Sequence, residues 1–345
     1  MCPDSAVGDE QALADLPVAQ SLGCQLGYLP LLRGRFLGGV RVPPAARRAG
    51  ARSCSLAASE GLGLSDAEGL ALIDRAVTEG FAVIDTADIY TGGNSERVVG
   101  MWNKAHPDSG MLIQSKTGFT SSGPDLSPER VTRQLQHSID TLGRVDLYFA
   151  HTVDPKTPWS DALPVFSAAV ESGRIRAYGL SNVDRAALES ALETADRLGL
   201  MRPELIQNSY SLIVRGDDLS VLPIVEAEGL AYSAYSPLAN GILAGRYSRG
   251  EQPEKGSRAS TGSRTDEFLG DPGLMKRVEE FDRLAAAHDV TPAGLALAGL
   301  ASHPLVAAPV IGVSKERQWQ GIHEALQLPW TSELSARLDE LFPAT

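Results

Sequence analysis

The chain has 345 residues, of which 43% are hydrophobic, and a formal net charge of −12. Its length suits two average domains or one larger α/β domain with extensions, and its negative charge argues against nucleic acid or an anionic membrane as the main partner. The three cysteines, Cys2, Cys24 and Cys54, lie at no metal-ligand spacing, and the acidic N-terminus lacks the basic start and apolar core of a signal peptide. A reduced, cytoplasmic protein is therefore expected.

The first 52 residues differ in composition from the rest of the chain. Residues 26–52 hold six arginines, no acid and many Gly, Pro and Ala residues. We expect an atypical, poorly ordered extension over residues 1–52, with a basic interaction arm or an altered first strand as the alternatives. A single domain is expected over residues 53–345.

From Ala67 onward, short apolar runs alternate with amphipathic segments. Strands are predicted at 81–86, 111–115, 146–150, 176–180, 205–209, 231–235 and 308–311. Helices are predicted at 67–79, 95–105, 128–142, 160–172, 184–198, 217–228, 274–289, 292–302, 315–326 and 332–342. This order implies parallel strands with crossover helices. With residues 53–58 as an eighth strand, the chain would form a (β/α)8 TIM barrel with a C-terminal helix.

Three successive predicted strands end in side chains that can move protons. Asp85 and Tyr90 close the first of these runs, Lys116 closes the second and His151 the third. In a barrel of this kind, the C-terminal ends of the strands meet at one rim. Singly, each residue has a structural explanation, such as a helix cap, a solvated lysine or a packed tyrosine. Four independent structural residues would not be expected at successive strand ends.

Together these groups suit proton donation to a carbonyl oxygen. A phenol holds its proton at neutral pH, and a neighbouring ammonium makes it a better acid because it favours the phenolate. A carboxylate paired with the ammonium keeps it charged in a partly buried site. A histidine beside the phenol can orient a substrate carbonyl or share the proton.

Five segments also carry a family pattern, in the family's order and spacing: VIDTADIYTGGNSERVVG from residue 83, IQSKTG from 113, DLYFAH from 146, GLSN from 179 and AYSPLANGILAGRY from 234. They resemble the aldo-keto reductase superfamily, and the resemblance covers about residues 65–342. It implies a (β/α)8 barrel that reduces aldehydes or ketones with NADPH. Tyr90 would be the general acid, Lys116 would tune its pKa, Asp85 would pair with Lys116, and His151 would orient the carbonyl.

The same resemblance assigns a cofactor groove, closest to the branch of aflatoxin-aldehyde reductases and potassium-channel β subunits. Ser181, Asn182 and Gln207 would bind the nicotinamide carboxamide, although a helix cap is as good an explanation of Ser181-Asn182. Tyr235 would stack on the ring or pack in the core. The remaining contacts, several of them with phosphate, would come from Ser236, Leu238, Gly241, Arg246, Arg258, Gly312, Ser314, Lys315 and Gln318.

Two features depart from the family pattern. Gly321 and Ile322 stand where the family usually has Glu and Asn against adenine, and the N-terminal hairpin and Gly-rich end of the first strand are not recognisable. Loops at 152–160, 211–218 and 248–272 would shape the substrate pocket, and the last of these is expected to be mobile. Trp102 and Trp159 are either pocket aromatics or, more simply, core residues.

Three hypotheses for function follow. The first is an NADPH-dependent carbonyl reductase acting on a small molecule. The second is an NADPH-binding regulatory or scaffold protein with little turnover, which the unusual N-terminus favours. The third, a metal-dependent barrel hydrolase, is disfavoured because the six histidines show no paired ligand spacing. The physiological substrate, the oligomeric state and the strictness for NADPH stay open.

Overall fold

The computed structural model describes residues 53–55, 64–245, 247 and 263–344, and within them eight parallel strands form a closed barrel. Each strand pairs with the next, and the first strand closes the barrel by pairing with both the second and the last. This confirms the (β/α)8 fold class. The strands are β1 (Ser53–Ser55), β2 (Val83–Asp85), β3 (Leu112–Thr117), β4 (Leu147–Ala150), β5 (Ala177–Ser181), β6 (Leu205–Ser209), β7 (Ala231–Tyr235) and β8 (Val306–Ile311).

Some of the helices begin at a residue whose side chain caps them. Ser65 and Glu68 form a capping box at the first helix, and Asp184 and Thr291 accept backbone N–H bonds at the starts of two others. The helices are α1 (Asp66–Thr78), α2 (Asn94–Ala105), α3 (Pro128–Leu142), α4 (Trp159–Glu171), α5 (Arg185–Leu198), α6 (Leu222–Glu228), α7 (Ser263–Leu269), α8 (Pro272–Ala287), α9 (Pro292–Ser302), α10 (Trp319–Gln327) and α11 (Ser332–Leu341).

The core lies between the barrel wall and the helices. Tyr148, Phe166 and Tyr178 stack there with ring centroids 5.8 and 5.5 Å apart. Trp102 and Trp159 are also buried in this core, which confirms the simpler of their two interpretations. The helices therefore cover the barrel by burying one apolar face each.

Several predicted boundaries were wrong. β3 continues through Thr117, whose backbone still pairs with β4, so Lys116 lies inside the strand rather than after it. The predicted helix 217–228 is a 3-10 turn at Gly216–Asp218 followed by α6, because Pro223 fits only the first turn of a helix. The predicted helix 315–326 likewise divides into a 3-10 turn at Glu316–Gln318 and α10.

Two elements of the structure were not predicted from the sequence. A hairpin of Phe119–Thr120 and Gly123–Pro124 follows β3, and α7 occupies part of the segment expected to be loop. Ser127 does not cap α3 with its side chain, since its hydroxyl donates to Asp125 instead. The extension at 1–52, residues 56–63 of the first-strand region, and 248–262 are outside the described part of the chain.

Close packing of α9 on α10 bears on the first of the two departures from the family pattern, Gly321 with Ile322. A Cβ added to Gly321 would lie 3.1 Å from the Cβ of Ala293, and one added to Gly294 would lie 2.6 Å from Oε2 of Glu324. Ile322 is 3% exposed. Gly321 therefore permits the close contact between the two helices, and Ile322 is buried in the core.

Among the described residues, no single helix has the length and apolar composition to cross a membrane. One pair, Pro272–Ala287 and Pro292–Ser302, passes that test only when joined, and the two helices are bent by 90° at their break.

Candidate active site

The centre of the barrel rim is the ammonium group of Lys116. Its side chain is completely buried, and Nζ donates to Asp85 Oδ2 at 2.7 Å, to the carbonyl of Thr86 at 2.8 Å and to the hydroxyl of Tyr90 at 3.3 Å. Burial opposes the charge, but Asp85 and Tyr90 outweigh it and hold the pKa of Lys116 above its ordinary value. The lysine is therefore a fixed cation with a phenol beside it.

Asp85 is held in place by amide donors on two other strands. Gln114 Nε2 donates to Asp85 Oδ1, and Gln207 Nε2 donates to the same oxygen at 3.1 Å. Gln114 and Lys116 lie two residues apart on β3, so both side chains point into the barrel. The carboxylate thus has a donor on each side, which fixes the position of Lys116 in turn.

Tyr90 and His151 face each other across the rim. Tyr90 lies on a 3-10 turn at Tyr90–Gly93, and its ring contacts the His151 ring edge-on with centroids 5.6 Å apart. Burial, together with the charge of Lys116, lowers the pKa of His151 to about 2. The imidazole is therefore neutral at physiological pH and can serve as a hydrogen-bonding group but not as a cation.

Phe119, which the sequence analysis missed, completes this side of the site. It lies on the hairpin after β3, and its ring packs edge-on against His151 at 4.9 Å. Gly118 makes the turn with φ of +126°, a backbone conformation that L side chains rarely adopt. The glycine directly after Lys116-Thr117 was the available sequence signal for this turn. Phe119 gives the pocket an apolar wall beside the two polar groups.

The residues that the resemblance assigns to the nicotinamide end of the cofactor are connected to this site by hydrogen bonds. Asn182 Nδ2 donates to the carbonyl of His151 at 2.8 Å, and its Oδ1 accepts from the Tyr235 hydroxyl at 2.6 Å. Ser181 donates to the carbonyl of Gln207 at 2.7 Å. Because Asp184 caps α5, the alternative interpretation of Ser181-Asn182 as a helix cap was wrong. Tyr235 is half-buried at the end of β7.

Strained backbone clusters at the same rim. Six non-glycine residues of the described chain have positive φ, and five of them follow β2, β5 or β7 at their C-terminal ends: Thr91, Asn182, Ser236, Ala239 and Asn240. Such conformations cost energy and are concentrated at functional sites. After β7 they are joined by Gly241, and the N–H groups of Gly241 and Leu243 donate to the carbonyl of Leu238, which closes a tight turn.

The assigned phosphate and adenosine end follows β8. Gln318 Oε1 accepts the backbone N–H groups of Ser314 and Lys315 at 2.7 and 2.8 Å, which ties this loop to the turn before α10. Gly312 and Lys315 are exposed. Arg246 and Arg258 lie outside the described residues. In the part of the chain that is described, no group of three His, Cys, Asp or Glu side chains is placed to hold a metal ion.

Comparison with known proteins agrees with this geometry. The model of the Aldo/keto reductase family matches residues 56–342. Protein tas of Escherichia coli (strain K12) is 30% identical over 312 residues, covering 80% of this chain and 89% of that protein. "Uncharacterized oxidoreductase YrpG" of Bacillus subtilis (strain 168) is 27% identical, covering 79% and 86%. "Putative voltage-gated potassium channel subunit beta" of Schizosaccharomyces pombe is 29% identical, covering 77% and 81%.

Proposed function

The chain belongs to the aldo/keto reductase family of oxidoreductases, and on that premise we propose that it reduces an aldehyde or ketone to an alcohol with NADPH, with Tyr90 as proton donor. The observation that carries the proposal is the completely buried Lys116 ammonium, bonded to Asp85 on one side and 3.3 Å from the Tyr90 hydroxyl on the other. A buried cation next to a phenol stabilises the charge that appears when the phenol loses its proton.

The proton would pass from Tyr90 to the carbonyl oxygen. As the proton leaves, the developing phenolate charge is stabilised by the Lys116 ammonium, which Asp85 and the carbonyl of Thr86 keep in position. His151 would hold the carbonyl oxygen by a hydrogen bond from its neutral ring, and the Phe119 ring beside it would exclude water and accept an apolar substituent. General acid catalysis of this kind contributes about 10²- to 10⁴-fold to rate.

The donor set around the rim fits a nicotinamide dinucleotide. A bound NADPH would supply the hydride to the carbonyl carbon. Tyr235 would stack on the nicotinamide ring, while Asn182 and Gln207, whose amides already line this edge, would bind its carboxamide. Ser236 and Leu238 would present a hydroxyl and a backbone N–H group to the pyrophosphate.

The preference for NADPH over NADH depends on cations near the 2′-phosphate. Lys315, Arg246 and Arg258 are the residues of this chain that we assign to it. Guanidinium and ammonium groups bind a phosphate dianion but gain nothing from the 2′-hydroxyl of NADH.

Replacement of Tyr90 by Phe tests the proposal. We expect Tyr90→Phe to lose about 10²- to 10⁴-fold in turnover of an aldehyde and ketone panel, followed by NADPH absorbance, because the hydroxyl that donates the proton is removed while the ring is kept. NADPH affinity, measured by fluorescence, should be retained. Tyr178→Phe is the matched control, since its hydroxyl donates to the carbonyl of Met201 away from the site. Full turnover in Tyr90→Phe would contradict the proposal, and cofactor binding without turnover of any carbonyl in the unmodified protein would favour a regulatory role.

A further inference from the structure

One buried carboxylate close to the site has no role in the proposed proton transfer. Asp88 lies two residues before Tyr90, and its side chain is 3% exposed. Its Oδ2 accepts from the Thr117 hydroxyl at 2.8 Å and from Arg130 Nη2 at 3.1 Å. Its backbone N–H donates to the carbonyl of Lys116 at 3.1 Å. Asp88 therefore joins the Tyr90 segment to the strand that carries Lys116.

The two faces of β3 explain how this contact comes about. Gln114 and Lys116 point into the barrel and hold Asp85, whereas Ser115 and Thr117 point outward because side chains alternate along a strand. The outward pair binds carboxylates on the helix side of the wall: Ser115 donates to Glu96 and Thr117 donates to Asp88. One strand thus positions the lysine inside the barrel and anchors the tyrosine segment outside it.

The surroundings of Asp88 disfavour its ionised form, because the carboxylate is buried. Its neighbours are Arg130 on α3, Glu96 on α2, Thr117 on β3 and Tyr148 on β4. Within the described structure, Asp88 Oδ1, Arg130 Nε and the Tyr148 hydroxyl are buried without a hydrogen-bond partner. Burial raises the pKa of Asp88 to about 6, against the opposing effects of Thr117 and Arg130 and with a further contribution from the charge of Glu96.

The direction in which the pKa of Asp88 is shifted shows whether its charge stabilises the fold. Because the folded protein holds the Asp88 proton more tightly than the unfolded chain does, the free energy of unfolding falls as the pH rises from about 4 to about 6. The ionised carboxylate therefore lowers the stability of the fold at neutral pH. The Asp88 carboxylate is therefore not explained by a contribution to stability at this pH.

We propose that Asp88 is a positioning residue, whose carboxylate is held by Thr117 and Arg130 so that the Tyr90 hydroxyl stays within reach of the Lys116 ammonium. The inference rests on the proposed function of Tyr90. The segment needs such an anchor because the backbone directly after Tyr90 is left-handed, with φ of 54° at Thr91, 64° at Gly92 and 92° at Gly93. The 3.3 Å contact between Lys116 and Tyr90 is long, so a small shift of the segment breaks it.

The test compares Asp88→Asn with the unmodified protein. Asparagine keeps the shape and one acceptor oxygen but removes the charge that holds Arg130. We expect kcat to fall about 10- to 100-fold, since misplacing a catalytic group by about 1 Å costs up to 10²-fold. KM for the carbonyl and NADPH affinity should be unchanged. The acid limb of kcat near pH 6 in the unmodified protein should disappear, leaving a low, flat profile.

Stability at pH 7 distinguishes positioning from simple structural support. Asp88→Asn should be as stable as the unmodified protein or more stable in urea unfolding, because the buried charge is gone. An unchanged kcat would overturn the proposal. So would a loss of kcat that accompanies a loss of stability.

Hydrogen exchange of the peptide covering residues 86–94 provides a readout that does not need turnover. Its protection, corrected for intrinsic exchange, should decrease in the unmodified protein as the pH falls through 6 and should be low at every pH in Asp88→Asn. Glu96→Gln is the matched control: it removes the neighbouring buried charge but leaves the Asp88 contacts, so protection should be kept at neutral pH and should be lost at a lower pH than in the unmodified protein. One outcome is that the unmodified protein turns over no carbonyl while its hydrogen exchange still changes with the protonation of Asp88 and with Asp88→Asn. In that case the proposed function is wrong, and the positioning role of Asp88 is supported. If exchange is independent of Asp88, the anchor fails.

Discussion

Replacement of Asp85 by Asn should leave a buried cation without its counter-ion. Lys116 is completely buried and its ammonium lies 2.7 Å from Asp85 Oδ2. Two unit charges at that distance attract by about 6 kcal/mol at an effective dielectric constant of about 20. Removing one partner of a buried pair costs about 3–5 kcal/mol, because the other charge stays desolvated. We expect Asp85→Asn to lose about that much free energy of unfolding at pH 7.

The pH dependence of this loss gives the sharper test. In the unmodified protein the pKa of Lys116 is raised, so its contribution to stability is complete below the unfolded value of about 10.4 and is lost as the pH rises through the folded value. In Asp85→Asn, Lys116 keeps its burial but loses its counter-ion, so desolvation should hold its pKa below the value in the unfolded chain. The folded variant then binds fewer protons than its unfolded chain, so its deficit should shrink as the pH rises from 7 to 10.

The assay is urea unfolding of both proteins at pH 7, 8.5 and 10. Asp66→Asn is the matched control, because it removes the carboxylate of an exposed ion pair with Arg97 and should have a small effect with no such trend. The double variant Asp85→Asn with Lys116→Met should be more stable than Asp85→Asn alone, since it removes the orphaned charge. Equal stability of Asp85→Asn and the unmodified protein at pH 7, or a deficit that grows with pH, would refute the reasoning.

Two further predictions concern other parts of the structure. Gly100→Ala should destabilise the protein by about 1–3 kcal/mol or more in urea unfolding, because a Cβ there would lie 2.0 Å from the carbonyl oxygen of Thr141. Gly216→Ala is the control, since a Cβ at that position meets no atom within 4 Å. Equal effects of the two substitutions would contradict the packing argument. The NMR signals of the His151 ring should not titrate between pH 5 and 8, since its pKa is lowered to about 2; a midpoint near 6.5 would show that the ring is not buried beside a charged Lys116.

The sequence alone was enough to predict the alternation of barrel strands and helices and which four side chains would meet at the rim. Apolar runs of strand length alternate with amphipathic helices, and a parallel barrel places every strand end at one rim. The sequence therefore predicted that four side chains that are not adjacent in the chain would lie close together: Asp85, Tyr90, Lys116 and His151. Periodicity was also enough to place β6, β7, α3 and α9 to the residue.

Only the tertiary structure decided what holds those groups in place. Gln207 reaches Asp85 across 122 residues of chain, and Asp88 reaches Arg130 across 42, so no local pattern could indicate either contact. Whether a residue on β3 faces the barrel interior or the helices depends on the register of the strand, which its neighbours set through their hydrogen bonds. Sequence thus specified the chemistry of the site, whereas the packing of distant strands and helices specified its geometry and the charges that surround it.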